Sequence, residues 1–177
     1  FGECAELLGR NVYLPPCMNA FVGADITCAV LASGMCRKPD TALLSDVGTN
    51  GEIALWQNGT LHVASTAAGP AFEGAGIHMG CGSVPGAVDG VWAEDGRLKA
   101  HTIGGAPAAG VCGSGLIDAV AALLDLGLVE DSGATDEERL YLTEGVYLIP
   151  ADIRSVQLAK AAVAAGIRTL MHQAGVS

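Results

Sequence analysis

Aromatic side chains are scarce in this 177-residue chain. They make up 5% of it, whereas 50% of the residues are hydrophobic. The apolar mass is therefore Ala, Val, Leu and Ile, accompanied by 25 glycines, a mixture suited to close backbone packing and tight loops. Basic residues are also few: nine Lys and Arg stand against 19 Asp and Glu, a formal net charge of −10. A surface of that sign repels phosphate backbones and anionic headgroups, so we expect neither a nucleic-acid nor a membrane partner. Long hydrophobic runs are missing. The longest uncharged stretch, Ile53 to Phe72, is interrupted by Gln57, Asn58, Gly59, Thr60, His62, Gly69 and Pro70, which excludes it as a membrane span. With charged residues at 16% and this much apolar surface to bury, disorder is excluded as well.

The common metal and cofactor signatures are absent too. Six cysteines (Cys4, Cys17, Cys28, Cys36, Cys81 and Cys112) form no C-x-x-C pair and no iron–sulfur spacing. We read them as reduced thiols, mostly buried as small hydrophobes. The histidines at 62, 78, 101 and 172 show no H-x-x-H or H-E-x-x-H spacing, which argues against zinc. There is no Walker loop with its Lys, and Gly110-Val-Cys-Gly-Ser-Gly115 only half matches a dinucleotide fingerprint. Gly113-Ser-Gly115 is likewise a near miss for a hydrolase elbow. The chain opens at Phe1 rather than Met, carries no leader-like run, and stops just after a helical pattern. We therefore expect a fragment of a longer, cytoplasmic protein.

Strands and helices alternate along the chain. Residues 1–14 read as a helix end followed by a strand. Apolar residues recur at helical spacing from Ala20 to Leu31, with Gly34 as the stop. Thr41 to Val47 reads as a strand, and Gly48 to Gly51 as a turn. Glu52–Gln57 and Thr60–Ser65 read as a hairpin joined by Asn58-Gly59. The same turn accounts for the Asn58-Gly-Thr60 glycosylation sequon. Ser65–Gly86 is a long Gly/Ala/Pro/Ser loop, of the kind that often carries function. A strand is expected over Leu98–Ile103 and a helix over Leu116–Leu126, with Leu116, Val120, Leu123 and Leu124 inward and Gly127 closing it. An acidic loop follows at Asp131–Glu138, then a strand-like stretch, Arg139–Ile149. The last helix begins at Pro150 and carries Ile153, Val156, Lys160, Val163, Ile167 and Leu170 on one stripe, serving as core or as a dimer face. The class is α/β.

The most informative segment chemically is Leu44-Ser-Asp-Val-Gly-Thr-Asn-Gly-Glu52. An Asp ends a buried strand, and two glycines then let backbone N–H groups converge on an anion, with Thr49 and Asn50 adding donors. Asp46 at that mouth can hold a magnesium ion directly or through water; an ordinary polar turn is the plainer reading. No Lys or Arg occurs from Pro39 to Trp92, so a bound polyphosphate would be met by backbone dipoles and a metal. Gly110 to Leu116 opens a helix, whose N-terminus favours an anion. Asp118, in the first turn, either joins that site or stabilises the dipole. Cys112 reads as packed rather than reactive.

Taken in order, five segments resemble the C-terminal region of the reductive activators of corrinoid proteins. They are Phe21–Thr27, Ser45–Glu52, Ser65–Gly74, Gly110–Asp118 and Gln157–Ala162. That region belongs to the acetate and sugar kinase/Hsp70/actin superfamily. The resemblance implies an actin-like (ribonuclease H-like) ATPase lobe with a mixed sheet and flanking helices. Residues 1–177 would be the second-lobe portion. It further implies ATP and Mg2+ as ligands, coupled to reduction of a Co(II) corrinoid to Co(I) for methyl transfer. A 2Fe-2S cluster is expected only in a missing upstream domain, with the first lobe also upstream. The partners implied are a corrinoid protein and a second copy of the chain.

By the same resemblance the nucleotide site would comprise Asp46, Gly48, Thr49, Asn50, Gly51, Glu52, Gly69, Gly113, Ser114, Gly115 and Asp118. Asp25 would be the catalytic residue, orienting a water or sharing the metal with Asp46; otherwise it is a polar residue on an exposed helix face. Two rival expectations stand beside this one. One is a sugar or small-acid kinase lobe, with its acceptor pocket in Ser65–Gly86. The other is a non-catalytic partner-binding module.

Overall fold

The computed structural model describes residues 3–176. The chain divides into two compact units. One runs up to Ala67 and resumes at Ala162; the other is Ala68–Ala161.

The first unit opens with a hairpin, β1 (Glu3–Leu7) and β2 (Arg10–Leu14), paired antiparallel. The helix end expected here is not present. Leu8 and Gly9 take positive φ values of 52° and 73°, the left-handed pair of a two-residue turn that follows strand twist, so Gly9 turns a hairpin instead of stopping a helix. α1 (Ala24–Ser33) ends at Gly34, which adopts φ 64°. It starts later than the spacing suggests because residues 18–22 close on themselves: the Met18 N–H donates to the Val22 carbonyl at 3.0 Å, and the Phe21 N–H to Asn19 Oδ1 at 2.8 Å.

Three antiparallel strands follow, β3 (Ala42–Val47), β4 (Gly51–Gln57) and β5 (Thr60–Thr66), with β4 in the centre. Asn58 and Gly59, at φ 48° and 79°, make the expected β4–β5 turn. Alternation along β4 buries both of its faces. Ala54 meets Val22, Ile26, Val30 and Met35 from the α1 side. Ile53 and Leu55 meet Leu170 of the last helix, α3 (Pro150–Ala174). Contact on that side is close: a methyl group at Gly166 would lie 2.6 Å from Ile53 Cδ1.

The second unit is built on a mixed sheet. β6 (Ala87–Glu94) lies between β7 (Arg97–Thr102), antiparallel to it, and the short β8 (Gly110–Val111), parallel to it. β6 escapes the sequence reading because Asp89 and Gly90 break its apolar run. α2 (Gly113–Asp125) packs along β6, burying Leu116, Ala119, Ala122 and Leu123 against Val88, Val91 and Val111. The same core takes in Ile153, Val156 and Ala159 from α3.

Three expectations need correction here. Leu124 is 37% exposed, and Lys160 faces solvent; Ala122 and Ala159 fill the inward positions instead. The Arg139–Ile149 stretch is not one strand but a small hairpin, β9 (Leu140–Tyr141) and β10 (Tyr147–Leu148), reversed where the Leu142 N–H donates to the Val146 carbonyl at 2.8 Å. The cysteines are mostly not buried. Cys4, Cys17 and Cys28 are exposed, Cys36 and Cys81 half-buried, and only Cys112 is buried; all six are free thiols.

At the start of α3 the second unit holds a buried carboxylate. Asp152 is 1% exposed. Its Oδ2 accepts the Ile149 N–H at 2.9 Å and its Oδ1 the His78 N–H at 2.8 Å. The first bond satisfies an otherwise orphaned donor at the helix start. The second ties the 68–86 loop to the helix.

Candidate functional site

In the first unit, three of the expected residues, Asp25, Asn50 and Glu52, line one cleft where α1 begins beside the β3–β4 bend. Gly23 caps α1 in an extended conformation. The Asp25 carboxylate folds back over that turn, with Oδ1 accepting the Ile26 N–H at 2.9 Å. A methyl group at Gly23 would lie 2.6 Å from the same oxygen. Gly23 is thus the residue that leaves room for this carboxylate pose. The position suits a negative charge, since the first-turn N–H groups of a helix carry its positive end.

The bend itself is short. The Gly48 N–H donates to the Asn50 carbonyl at 3.0 Å, and strand register then sets Val47 opposite Gly51 and Asp46 opposite Glu52. Thr66 Oγ1 donates to the Gly51 carbonyl at 3.3 Å. The result is a cleft of about 530 Å³ lined by Asp25, Asn50, Glu52, Ser65 and Thr66, with Phe21 and Gly23 at its α1 wall. That volume lies in the range of small-molecule sites. Its side chains offer carboxylates, an amide and hydroxyls, and no cation.

Asp46 and Glu52 share a sheet face as directly opposed residues. Two carboxylates so placed repel each other, and no Lys or Arg lies in the surrounding sequence to offset them. A divalent cation would. Among the described residues no group of three or more His, Cys, Asp or Glu is arranged to hold a metal. A hydrated Mg2+ needs less than that, because it takes one or two carboxylates and completes its shell with water and phosphate oxygens. The donor set therefore fits Mg2+ in company with a phosphate ligand and does not form an all-protein metal cage. Asp46 is not among the cleft-lining residues, whereas Asp25 and Glu52 are.

The remaining expected residues lie in the second unit. Gly113 and Gly115 open α2, and backbone contact accounts for both glycines. A methyl group at Gly113 would sit 1.7 Å from the Phe72 carbonyl oxygen, and one at Gly115 would sit 2.1 Å from that of Val88. Ser114 Oγ donates to the Asp89 carbonyl at 2.9 Å. Asp118 belongs to the second turn, not the first, because α2 begins at Gly113, ahead of the expected Leu116. Gly69, at φ 79°, lines a separate groove of about 220 Å³ with Pro70, Ala71 and Leu158.

Cys112, 2% exposed, is packed as expected. Burial alone would push its thiol pKa up. Its hydrogen bonding with Ser114, Gly115 and Ser83 outweighs that and pulls it below the ordinary thiol value.

Gly23 at the cleft has no role assigned from sequence, and Ser65 and Thr66 entered only as the start of the Ser65–Gly86 acceptor loop in the kinase reading. Ser65 and Thr66 sit at the end of β5, opposite Glu52 and Gly51. Hairpin register counted back from Asn58-Gly59 could have found them.

The profile of the family described as the C-terminal domain of RACo, the ASKHA domain, matches residues 40–177. The chain belongs to this family. Its mixed α/β architecture is that of an ASKHA-type domain, in line with the resemblance seen in the five sequence segments. The corrinoid activation enzyme RamQ of Eubacterium limosum is 36% identical over a match covering 94% of this chain and 32% of that protein. The Co(II) methylated amine-specific corrinoid protein reductase of Methanosarcina barkeri is 31% identical, with 99% of this chain and 36% of that protein covered. A solved structure, titled a reductive activator for corrinoid, iron-sulfur protein, superposes with a TM-score of 0.83 at 34% identity, covering 94% of this chain and 30% of that one. The chain thus spans about a third of the length of these relatives. Among the described residues of this ASKHA domain, no helix is long and apolar enough to cross a membrane.

Proposed function

We propose that this chain contributes the second-lobe part of an ATP site to a reductive activator of corrinoid proteins. Nucleotide hydrolysis would drive the uphill reduction of a Co(II) corrinoid to Co(I). The observation that carries the reading is the cleft of the first unit, where Asp25, Asn50 and Glu52 meet around a bend free of Lys and Arg. The names of the relatives, each a corrinoid activator or reductase, support the choice of reaction.

In this reading, main-chain amides of Thr49, Asn50 and Gly51 donate to phosphate oxygens, as converging glycine-rich backbone does at other anion sites, while the Gly48 N–H, held by the Asn50 carbonyl, shapes the bend. Asp46 and Asp25 would hold Mg2+, which neutralises phosphate charge that no side-chain cation meets here. Asp25 also orients the attacking water through its carboxylate. Glu52, at the same cleft, would accept a hydrogen bond from that water. In the second unit, Gly113, Ser114 and Gly115 open α2, whose N-terminus would by itself favour an anion. The parent protein would be cytoplasmic, carry a 2Fe-2S domain upstream, dock a corrinoid protein and pair with its own copy.

The test uses the full-length parent protein. Asp25→Asn should lower ATP hydrolysis about 100-fold, the scale of a lost proton acceptor, while calorimetry shows Mg-ATP still binding. Wild-type-like hydrolysis in that variant would remove Asp25 from the mechanism. Phosphoryl transfer to a sugar or small acid would favour the kinase reading, and absence of any Mg-ATP binding would favour a partner-binding module.

A further inference from the structure

The second unit also brings together two thiols that the nucleotide reading does not use. Gly80 pairs with Val111 in parallel register. The pairing is made by the Val111 N–H donating to the Met79 carbonyl and the Cys81 N–H donating to the Val111 carbonyl, both at 2.9 Å. The next residues along the two segments are Cys81 and Cys112. Neighbouring strands lie about 4.8 Å apart, and directly opposed residues project to the same face. That separation falls within the Cα range of about 4.4–6.8 Å over which a disulfide closes. Gly110 supplies the space: a methyl group there would come within 2.9 Å of Cys81 Sγ and 3.2 Å of Cys81 Cβ.

We infer that Cys81 and Cys112 are a dithiol that closes to an intramolecular disulfide by exchange with a small-molecule disulfide such as oxidised glutathione. The inference does not rest on the ATP reading. The two thiols have different parts in it. Cys81 is half-buried and Cys112 buried, so the incoming disulfide reaches Cys81. The Cys81 thiolate attacks one sulfur of that disulfide, forming a mixed disulfide and releasing one glutathione thiolate. The Cys112 thiolate then attacks Cys81 Sγ and expels the second. Two protein thiols are oxidised, two glutathione thiols are produced, and the two protons leave to solvent or to the departing thiolates.

The local electrostatics suit this order. Burial, and then the negative charge of Cys112, raise the Cys81 thiol pKa. The hydrogen bonds that lower Cys112 keep a larger thiolate fraction ready for the second step. Capture at Cys81 therefore sets the rate, and closure slows as pH falls away from the ordinary thiol range.

The experiment treats the intact folded protein with oxidised glutathione, blocks remaining thiols, digests with trypsin and maps the peptides. Cleavage after Arg37, Arg97, Lys99 and Arg139 leaves Cys81 and Cys112 in separate peptides, 38–97 and 100–139, each with no other cysteine. The expected product is these two peptides joined, in excess of any other cross-link. In Cys112→Ser, glutathione should remain trapped on Cys81; in Cys81→Ser, Cys112 should stay unmodified. Wild-type protein that accumulates glutathione on Cys81 without the joined peptides, or that links Cys81 equally to Cys4, Cys17 or Cys28, would overturn the inference.

Discussion

Asp25 is a second helical residue whose pose depends on its neighbour. The 2.6 Å separation between a methyl at Gly23 and Asp25 Oδ1 is too short to persist, and the flexible partner is the carboxylate. Gly23→Ala should therefore swing Asp25 away from the α1 turn while the helix survives, since Gly→Ala at an N-cap costs about 1 kcal/mol or less. In the full-length parent we expect ATP hydrolysis to fall towards the Asp25→Asn level with Mg-ATP affinity retained. Unchanged hydrolysis would separate the carboxylate pose from the chemistry. Sequence reading reached Asn50 and Glu52 because an acidic or amide residue beside a glycine bend is a local signal, and it reached Asp25 only through the family resemblance. It could not reach the Gly23 contact or the Asp152–His78 bond, which joins residues 74 positions apart. Such pairings exist only once the chain is folded.

Among the elements, those with a strong local signal were legible. Asn58-Gly59 announced the β4–β5 turn, Gly34 the end of α1, and Pro150 the start of α3. Where local pattern and tertiary packing disagreed, packing won. β6 is a central strand although Asp89 and Gly90 interrupt its apolar run, because α2 covers it and β7 and β8 flank it. α2 begins at Gly113, since Gly113 and Gly115 give Phe72 and Val88 backbone contact that no other residue allows. Gly115→Ala gains about 1 kcal/mol of helix propensity but forces a methyl to within 2.1 Å of the Val88 carbonyl oxygen. Overpacking of this kind costs about 3 kcal/mol at the upper end of its usual range. The net should be a loss of about 2 kcal/mol, read as a lowered urea midpoint; a midpoint equal to wild type would mean that α2 lies further from β6.

For the molecule as a whole, the sequence supplied the α/β class and, through five ordered segments, the family that the profile match establishes. The division into two compact units, joined at Ala67–Ala68 and again within α3, was not legible. It depends on which strands share a sheet, and strand partnership is non-local. The acidic balance and the 39–92 segment without Lys or Arg most constrain the proposed function, in which main-chain donors and a divalent ion would hold the triphosphate. The direct measurement is a structure of the full-length parent with Mg2+ and a non-hydrolysable ATP analogue. The account predicts phosphate oxygens within hydrogen-bonding distance of the main-chain amides between Gly48 and Gly51, with the Asp25 and Glu52 carboxylates at the same cleft. An analogue bound with those amides turned to solvent would contradict it.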